Sequence, residues 1–149
     1  MAIQVGGTTV VDDSRNITNI LSATLSNTIS TVRIAEGIVE LGNTHTNPNI
    51  NLFAGTVFRA TLNANATFTL QNASAVSSNV SSFTLILTND NVANRTVAWS
   101  SSGGTFRFPF GSASLGRTTG AGNVDVWFFM TPDKGVNWYG AIPMKDMLT

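Results

Sequence analysis

A run of alternating residue types, Ser82–Asp90, is the clearest structural signal in the sequence. Its alternate positions form two sets, which are Phe83, Leu85 and Leu87 on one side and Thr84, Ile86 and Thr88 on the other. Successive side chains of a β-strand point to opposite faces, and every position in both sets is apolar or β-branched. The pattern therefore predicts a strand that is covered on both faces and lies near the middle of a sheet.

The residue composition also favours β structure, because Thr, Ser and Asn account for 50 of the 149 residues. Ser and Asn compete with the helix for backbone hydrogen bonds and Thr is stiff about χ1, whereas Thr suits strands and Asn suits turns. A chain of this length buries roughly 68–70% of its unfolded surface, so one sizeable core is expected. We predict an all-β fold, a β-sandwich or jelly-roll-like module with about six to eight strands.

Two hairpins are expected in this module. The first joins Phe58–Leu62 to Phe68–Leu70, whose apolar positions would share one face. The second joins Asn123–Met130 to Val136–Ile142 through a turn rich in Pro, Asp and Gly. Pro143 is expected to end the second hairpin, because proline cannot donate a hydrogen bond to a strand ladder.

The first 42 residues carry too few large apolar side chains to form a core alone. Their apolar residues are separated by Thr, Ser and Asn, and they include Ile17, Ile20, Leu21, Leu25, Ile29, Val32 and Ile34. Turn-forming residues then dominate the stretch from Gly42 to Asn51. We therefore divide the chain into an extended N-terminal assembly arm, residues 1–42, and a compact β domain, residues 43–149. The arm is expected to be stabilised against neighbouring chains, at ~25 cal/mol per Å² of apolar area buried.

A group of aromatic residues near the C-terminus has three interpretations. Its members are Phe106, Phe108, Phe110, Trp138 and Tyr139. Most aromatic side chains fill cores, which is the first interpretation. The second is burial in a subunit interface, and the third is a platform on which sugar rings stack.

The sequence offers no pattern typical of an enzyme or of a cofactor or metal site. The chain has no cysteine, and its one histidine, His45, lies among Thr and Asn residues rather than near a second candidate ligand or catalytic partner. Eight Lys and Arg residues balance eight Asp and Glu residues, and no basic stripe is visible, so nucleic acid is not an expected partner. No apolar run approaches the length of a membrane span, so a membrane is not an expected partner either.

Two parts of the chain resemble virion proteins of tailed bacteriophages. The first, VGGTTVVDDSRNITNI at Val5–Ile20, is similar to the segment that opens many β-structured modules in tail fibres and related proteins, especially of phages that infect cyanobacteria. The second comprises SSFTLILTND, RTVAWSS and VDVWFFMTPDKGVNWYGAI, and it is similar to the β-rich C-terminal modules of such proteins. The resemblance implies a non-enzymatic structural protein that trimerises and is displayed on a virion.

The resemblance and the arm together give a functional hypothesis. We expect a trimeric appendage or capsid-decoration subunit, anchored through its N-terminal arm to capsid, neck or tail proteins. The alternative is a fibre-tip or lectin-like module that binds a host surface glycan through the aromatic residues named above.

Overall fold

The structure, a computed structural model, describes residues 3–5, 8–11, 36–44, 47–90, 92, 95–111 and 120–147. The chain divides into two units, Met1–Ile34 and Ala35–Thr149. In the first unit, strands β1 (Ile3–Val5) and β2 (Thr8–Val11) pair antiparallel. The seven apolar residues assigned to the arm, from Ile17 to Ile34, lie outside the described residues.

The second unit is built from two β-sheets. Its elements are β3 (Ile38–Asn43), β4 (Asn49–Asn51), β5 (Val57–Leu62), β6 (Ala66–Gln71), β7 (Ser81–Asn89), β8 (Val97–Ser101), β9 (Thr105–Arg107), a 3-10 turn (Pro109–Gly111), β10 (Val124–Thr131) and β11 (Asn137–Met147). One sheet has the order β3-β5-β7-β10-β11-β9 and the other has the order β4-β6-β8. The all-β, sandwich-like fold is therefore confirmed, and β7 lies inside the larger sheet as the sequence predicts.

From β3 to β8 the chain alternates between the two sheets. Strands β3, β5 and β7 pair in parallel in the six-stranded sheet, and β4, β6 and β8 pair in parallel in the three-stranded sheet. The pairs β3–β4, β5–β6 and β7–β8 are thus the three rungs of a short solenoid-like stack. The first predicted hairpin is wrong, because β5 and β6 lie in different sheets. A hairpin and a crossing from one sheet to the other both direct the same alternate residues to the core. The apolar pattern alone therefore does not distinguish the two arrangements.

Strand β3 belongs to the six-stranded sheet rather than to an arm. Residues 38–42, which the sequence pattern assigned to the arm, form most of this strand, and Ile38 and Val39 pair in parallel with Val57 and Phe58. Its pairing partner, β5, lies about twenty positions further along the chain. The turn-forming residues that follow β3 therefore connect strands of one unit, not two domains.

The second predicted hairpin is confirmed. Strands β10 and β11 pair antiparallel, and β10 also pairs antiparallel with β7. Pro143 does not end β11, which continues to Met147. The register shifts between Val126 and Phe128, opposite Ala141 and Met144, so that Pro143 lies at a bulge. A bulge tolerates proline because the extra residue makes no ladder hydrogen bond.

The core lies between the two sheets and centres on Phe129, which is fully buried. Its ring centroid is 4.3 Å from that of Trp99 in the three-stranded sheet and 5.2 Å from that of Phe83 beside it. The rings of Phe106, Phe108 and Trp127 also lie within 6.2 Å of it. These pairs are stacked, tilted or edge-on, and such arrangements add to the stability gained from burial alone.

Gly140 makes room for this ring cluster, since it lies directly opposite Phe129 in the β10–β11 pair. Replacing Gly140 with alanine is expected to lower the free energy of unfolding by about 1–3 kcal/mol, because overpacking a core displaces its neighbours. The added Cβ would lie 2.4 Å from Phe129 Cε1 and 2.6 Å from Phe108 Cε1. Equilibrium denaturation measures the change, with Gly37→Ala as the matched control.

At Gly37 an added Cβ meets nothing within 4 Å. Its replacement should therefore change the free energy of unfolding by less than about 0.5 kcal/mol. Equal costs for the two substitutions would contradict the packing described around Gly140.

Asp133 organises the turn between β10 and β11. Its Oδ1 accepts hydrogen bonds from Thr131 Oγ1 at 2.9 Å and from the Asn137 backbone N–H at 2.8 Å, and its Oδ2 accepts from Asn137 Nδ2 at 2.7 Å. These bonds, chiefly the one from the Asn137 side chain, hold the pKa of Asp133 below its ordinary value of 3.8. The carboxylate form is therefore the one that stabilises the turn.

Acid should weaken the fold through this turn. A carboxyl group whose pKa is lower in the folded chain contributes stability above its unfolded pKa, and that contribution is lost as the pH falls through the folded pKa. For Asp133 the loss begins below about pH 4 and completes below the lowered value. Denaturant unfolding at a series of acidic pH values should show a shallower decline for Asp133→Asn than for the unsubstituted chain. If the free energy of unfolding declines identically with pH in both proteins, the Asp133 carboxylate contributes nothing to stability.

Candidate functional site

The structure separates the five aromatic residues proposed for an interface or a glycan platform. Phe108 and Trp138 are buried in the core, and Phe106 is partly buried against it. Tyr139 is 45% exposed and Phe110 is fully exposed. Trp138 and Tyr139 are neighbours on one strand and so point to opposite faces of the sheet. The five side chains therefore do not form one surface on which a sugar ring stacks.

A different apolar surface lies on the six-stranded sheet, on the face turned away from the core. We call it the outer patch, and its members are Val57, Ile86, Val124, Val126, Phe128, Met130, Tyr139, Ala141, Met144 and Met147. On β5, β7 and β10 its members alternate with buried residues. Met144 and Met147 are assigned to the same face because they pair with Val126 and Val124. Its residues come from four adjacent strands, and Arg59, Thr84 and Thr88 lie on the same face among them.

Strand pairing aligns the outer patch into cross-strand rows. Ile86 lies opposite Val126, which lies opposite Met144. Phe128 likewise lies opposite Ala141 on its other side. Paired side chains on one face of a sheet are about 4.5–5.5 Å apart at Cβ and contact each other. The row of Ile86, Val126 and Met144 is therefore apolar across three strands, whereas Phe128 and Val124 lie opposite Thr84 and Thr88 on β7.

The outer patch is substantially open to solvent. Phe128 is 38% exposed, Met144 is 52% exposed and Met147 is 46% exposed. On β7, Phe83, Leu85 and Leu87 are buried in the core, whereas Thr84, Ile86 and Thr88 are only partly buried. The sequence of β7 predicts a strand that is covered on both faces. Within a single chain, the inner face is fully covered and the outer face is only partly covered.

One ion pair flanks the patch. Arg59 lies beside Ile86 in the next strand, and its Nε donates to Glu40 Oε1 at 3.0 Å and to Oε2 at 3.1 Å. The hydrogen bond from Arg59 lowers the pKa of Glu40. Both side chains are more than half exposed, so the pair contributes little to stability. Its importance is that the charge at this border of the patch is balanced.

Two other kinds of functional feature are absent from the described residues. Within them, no group of three or more His, Asp or Glu side chains is placed to hold a metal ion. Nor does the part of the chain that the structure describes contain a helix with the length and apolar character to cross a bilayer. His45 lies outside the described residues. Comparison of the chain with protein-family models, with curated proteins and with solved structures gave no match.

Sequence reasoning missed the outer patch as a surface, although part of its signal was visible. The alternate residues Val124, Val126, Phe128 and Met130 are all apolar, and so are Trp127 and Phe129 between them. A strand of an ordinary two-layer fold has one polar face, so apolar residues on both faces of β10 indicate a second covering layer. What the sequence does not reveal is which face already has that layer.

Proposed function

We propose that the protein is a non-enzymatic structural subunit of a bacteriophage virion, a trimeric appendage or capsid-decoration protein. The outer patch packs against another copy of the chain, and the N-terminal arm anchors the subunit to neighbouring virion proteins. The phage assignment rests on the resemblance of Val5–Ile20 and of the strand segments to tail-fibre modules. The assembly role rests on the outer patch.

The size of the patch suits the centre of an interface. Strands β10 and β11 lie about 4.8 Å apart and each crosses the patch over about eight residues of about 3.3 Å, which with Ile86 and Val57 gives roughly 300 Å² before side-chain relief is counted. The largest apolar patch on a soluble chain is often functional at this size. Stable interfaces bury about 800 Å² per partner, so polar surface around the patch and the arm would supply the remainder.

A second copy is the occupant that the charges favour. The chain has eight basic and eight acidic residues, so copies brought together carry no net charge to repel each other. At the border of the patch, the charge of Arg59 is already balanced by Glu40. In a trimer, the outer patches of three copies meet around a three-fold axis, where side chains such as Phe128 and Met144 fill the space between the three sheets.

The glycan-binding alternative, in which the aromatic residues form a stacking platform, loses the support of two of its five residues. Stacking on a sugar needs an exposed ring face, and Phe108 and Trp138 have none because both side chains are buried. A Trp138→Ala substitution would therefore damage the core whether or not the protein binds a glycan.

The proposed location has a direct test. Particles of the phage that encodes this chain would be purified and analysed by mass spectrometry and by cryo-electron microscopy. We expect the chain among the particle proteins, in groups of three around a symmetry axis, with density for residues 1–34 reaching a neighbouring subunit. Absence of the chain from purified particles would overturn the virion assignment.

A further inference from the structure

A cleft of about 410 Å³ opens at one end of the sandwich, and none of the residues that line it belongs to the outer patch. It lies where the end of β6 and the residues after it meet the end of β8 and the β10–β11 turn. The polar side chains that line it include Gln71, Asn72, Ser101, Ser102 and Lys134, and Trp138 forms part of its wall. Its volume lies within the range usual for small-molecule sites.

Two buried polar atoms at this cleft have no hydrogen-bond partner, Trp138 Nε1 and Ser101 Oγ. The Trp138 side chain is only 1% exposed. The two groups lie near each other, because a Cβ placed on Gly104 would meet Ser101 Oγ and lie 3.1 Å from Trp138 Cδ1, which puts the hydroxyl oxygen no more than about 5 Å from that indole carbon. Buried donors are normally satisfied, so an unpaired pair at the wall of a cleft indicates an acceptor supplied from outside the chain.

The backbone around the cleft is also unusual. Lys134 and Asn72 both have φ of 61° although neither is glycine, as do Phe110 and Asp146, which do not line the cleft. Non-glycine residues in this left-handed region are uncommon and are held there by surrounding contacts. Gly135, with φ of 85°, covers the indole edge, and a Cβ on it would lie 3.5 Å from Trp138 Nε1.

The charge at the cleft favours an anion. Lys134 is the charged residue among the side chains that line it, and it is exposed. The adjacent carboxylate of Asp133 is held by Thr131 and Asn137 within the turn and does not line the cleft. An anionic group in the cleft therefore meets one cation and unpaired donors.

We propose that this cleft binds a sugar acid, a small polyhydroxylated ligand with one carboxylate. One carboxylate oxygen accepts hydrogen bonds from Trp138 Nε1 and Ser101 Oγ after an outward shift of Gly135, which is needed because neither atom has as much as 1 Å² of exposed surface. The ammonium group of Lys134 balances the charge. The amide of Gln71, the Oδ1 of Asn72 and the hydroxyl of Ser102 bond to the sugar hydroxyls. The Nδ2 of Asn72 already donates to Asn51 Oδ1 at 2.7 Å. This binding role is separate from the assembly role and does not require it.

Nuclear magnetic resonance of the full-length chain tests the proposal. The indole N–H resonance of Trp138 would be followed during titration with glucuronic acid, glucose and acetate. We expect a saturable shift with glucuronic acid and a response at least tenfold weaker with glucose and with acetate. The methyl glycoside of glucuronic acid distinguishes the source, since equal or tighter binding indicates a unit within a polysaccharide and loss of binding indicates the free acid.

Matched variants separate the cleft from general effects. Lys134→Gln and Trp138→Phe should each weaken binding at least tenfold. Lys145→Gln removes an exposed charge that does not line the cleft, and Trp127→Phe removes another unpartnered indole N–H, so both should bind normally. A Trp138 resonance that does not move would overturn the proposal, as would equal weakening by Lys134→Gln and Lys145→Gln or equal binding of acetate. Phe128→Glu, which alters the outer patch, should bind as the unsubstituted chain does.

Discussion

Replacing Phe129 with alanine is expected to lower the free energy of unfolding by about 3–5 kcal/mol, the largest effect of any single substitution considered for this fold. The ring is fully buried and lies 4.3 Å from Trp99 and 5.2 Å from Phe83, so its removal leaves a cavity between the two sheets. Neighbouring rings are themselves large and constrained, which limits their collapse into the space. Equilibrium denaturation with urea measures the loss.

Phe110→Ala is the matched control for this experiment, because Phe110 is fully exposed. Its replacement should change the free energy of unfolding by less than about 0.5 kcal/mol. If Phe129→Ala and Phe110→Ala lower the free energy of unfolding by the same amount, the assignment of the core to the space around Phe129 is wrong.

Replacing Phe128 with glutamate is expected to weaken self-association at least about 100-fold, because an unpaired carboxylate would be buried in the interface. Phe128 directly precedes Phe129 but faces outward and is 38% exposed in the single chain. The isolated subunit should therefore stay folded, with a change in unfolding free energy well below that of Phe129→Ala. Sedimentation equilibrium measures association, and circular dichroism verifies the fold.

Val80→Glu controls for the introduction of a charge, since Val80 is 58% exposed and is not part of the outer patch. We expect it to leave association unchanged. If both substitutions weaken self-association equally, the outer patch is not the contact surface and the effect is due to the added charge alone.

Local patterns predicted the elements whose structure is decided locally. The alternation in Phe83–Leu87 identified β7, and the Thr131–Gly135 turn identified the β10–β11 hairpin because Asp133 bonds to backbone and side chains within that turn. In both cases the residues that determine the conformation lie within a few positions of one another. The inward orientation of Trp127 and Phe129 follows from the same alternation.

The rungs were not predictable from local patterns. From Ile38 to its partner Val57 the chain advances 19 residues, and from Val57 to its partner Thr84 it advances 27. Unequal spacing hides the repeat that would otherwise reveal a stack of rungs. The connection at Asn63–Asn65 is also short enough for a hairpin, and only long-range pairing with β7 shows that it crosses to the other sheet.

The candidate surface was missed for a related reason. The sequence shows that β10 is apolar on both faces, but the three-stranded sheet that covers one of them is formed by distant residues such as Phe68 and Trp99. The proposed cleft depends on contacts of the same kind, because Ser101 and Trp138 meet only through the folded topology.

Sedimentation velocity of the full-length, unsubstituted chain, from about 1 to about 100 µM, is the most direct test of assembly through the outer patch. We predict a species of three times the chain mass, with any dissociation limited to the lowest concentrations. A chain that sediments as a monomer throughout this range, with its apolar outer sheet left in contact with water, would contradict the account.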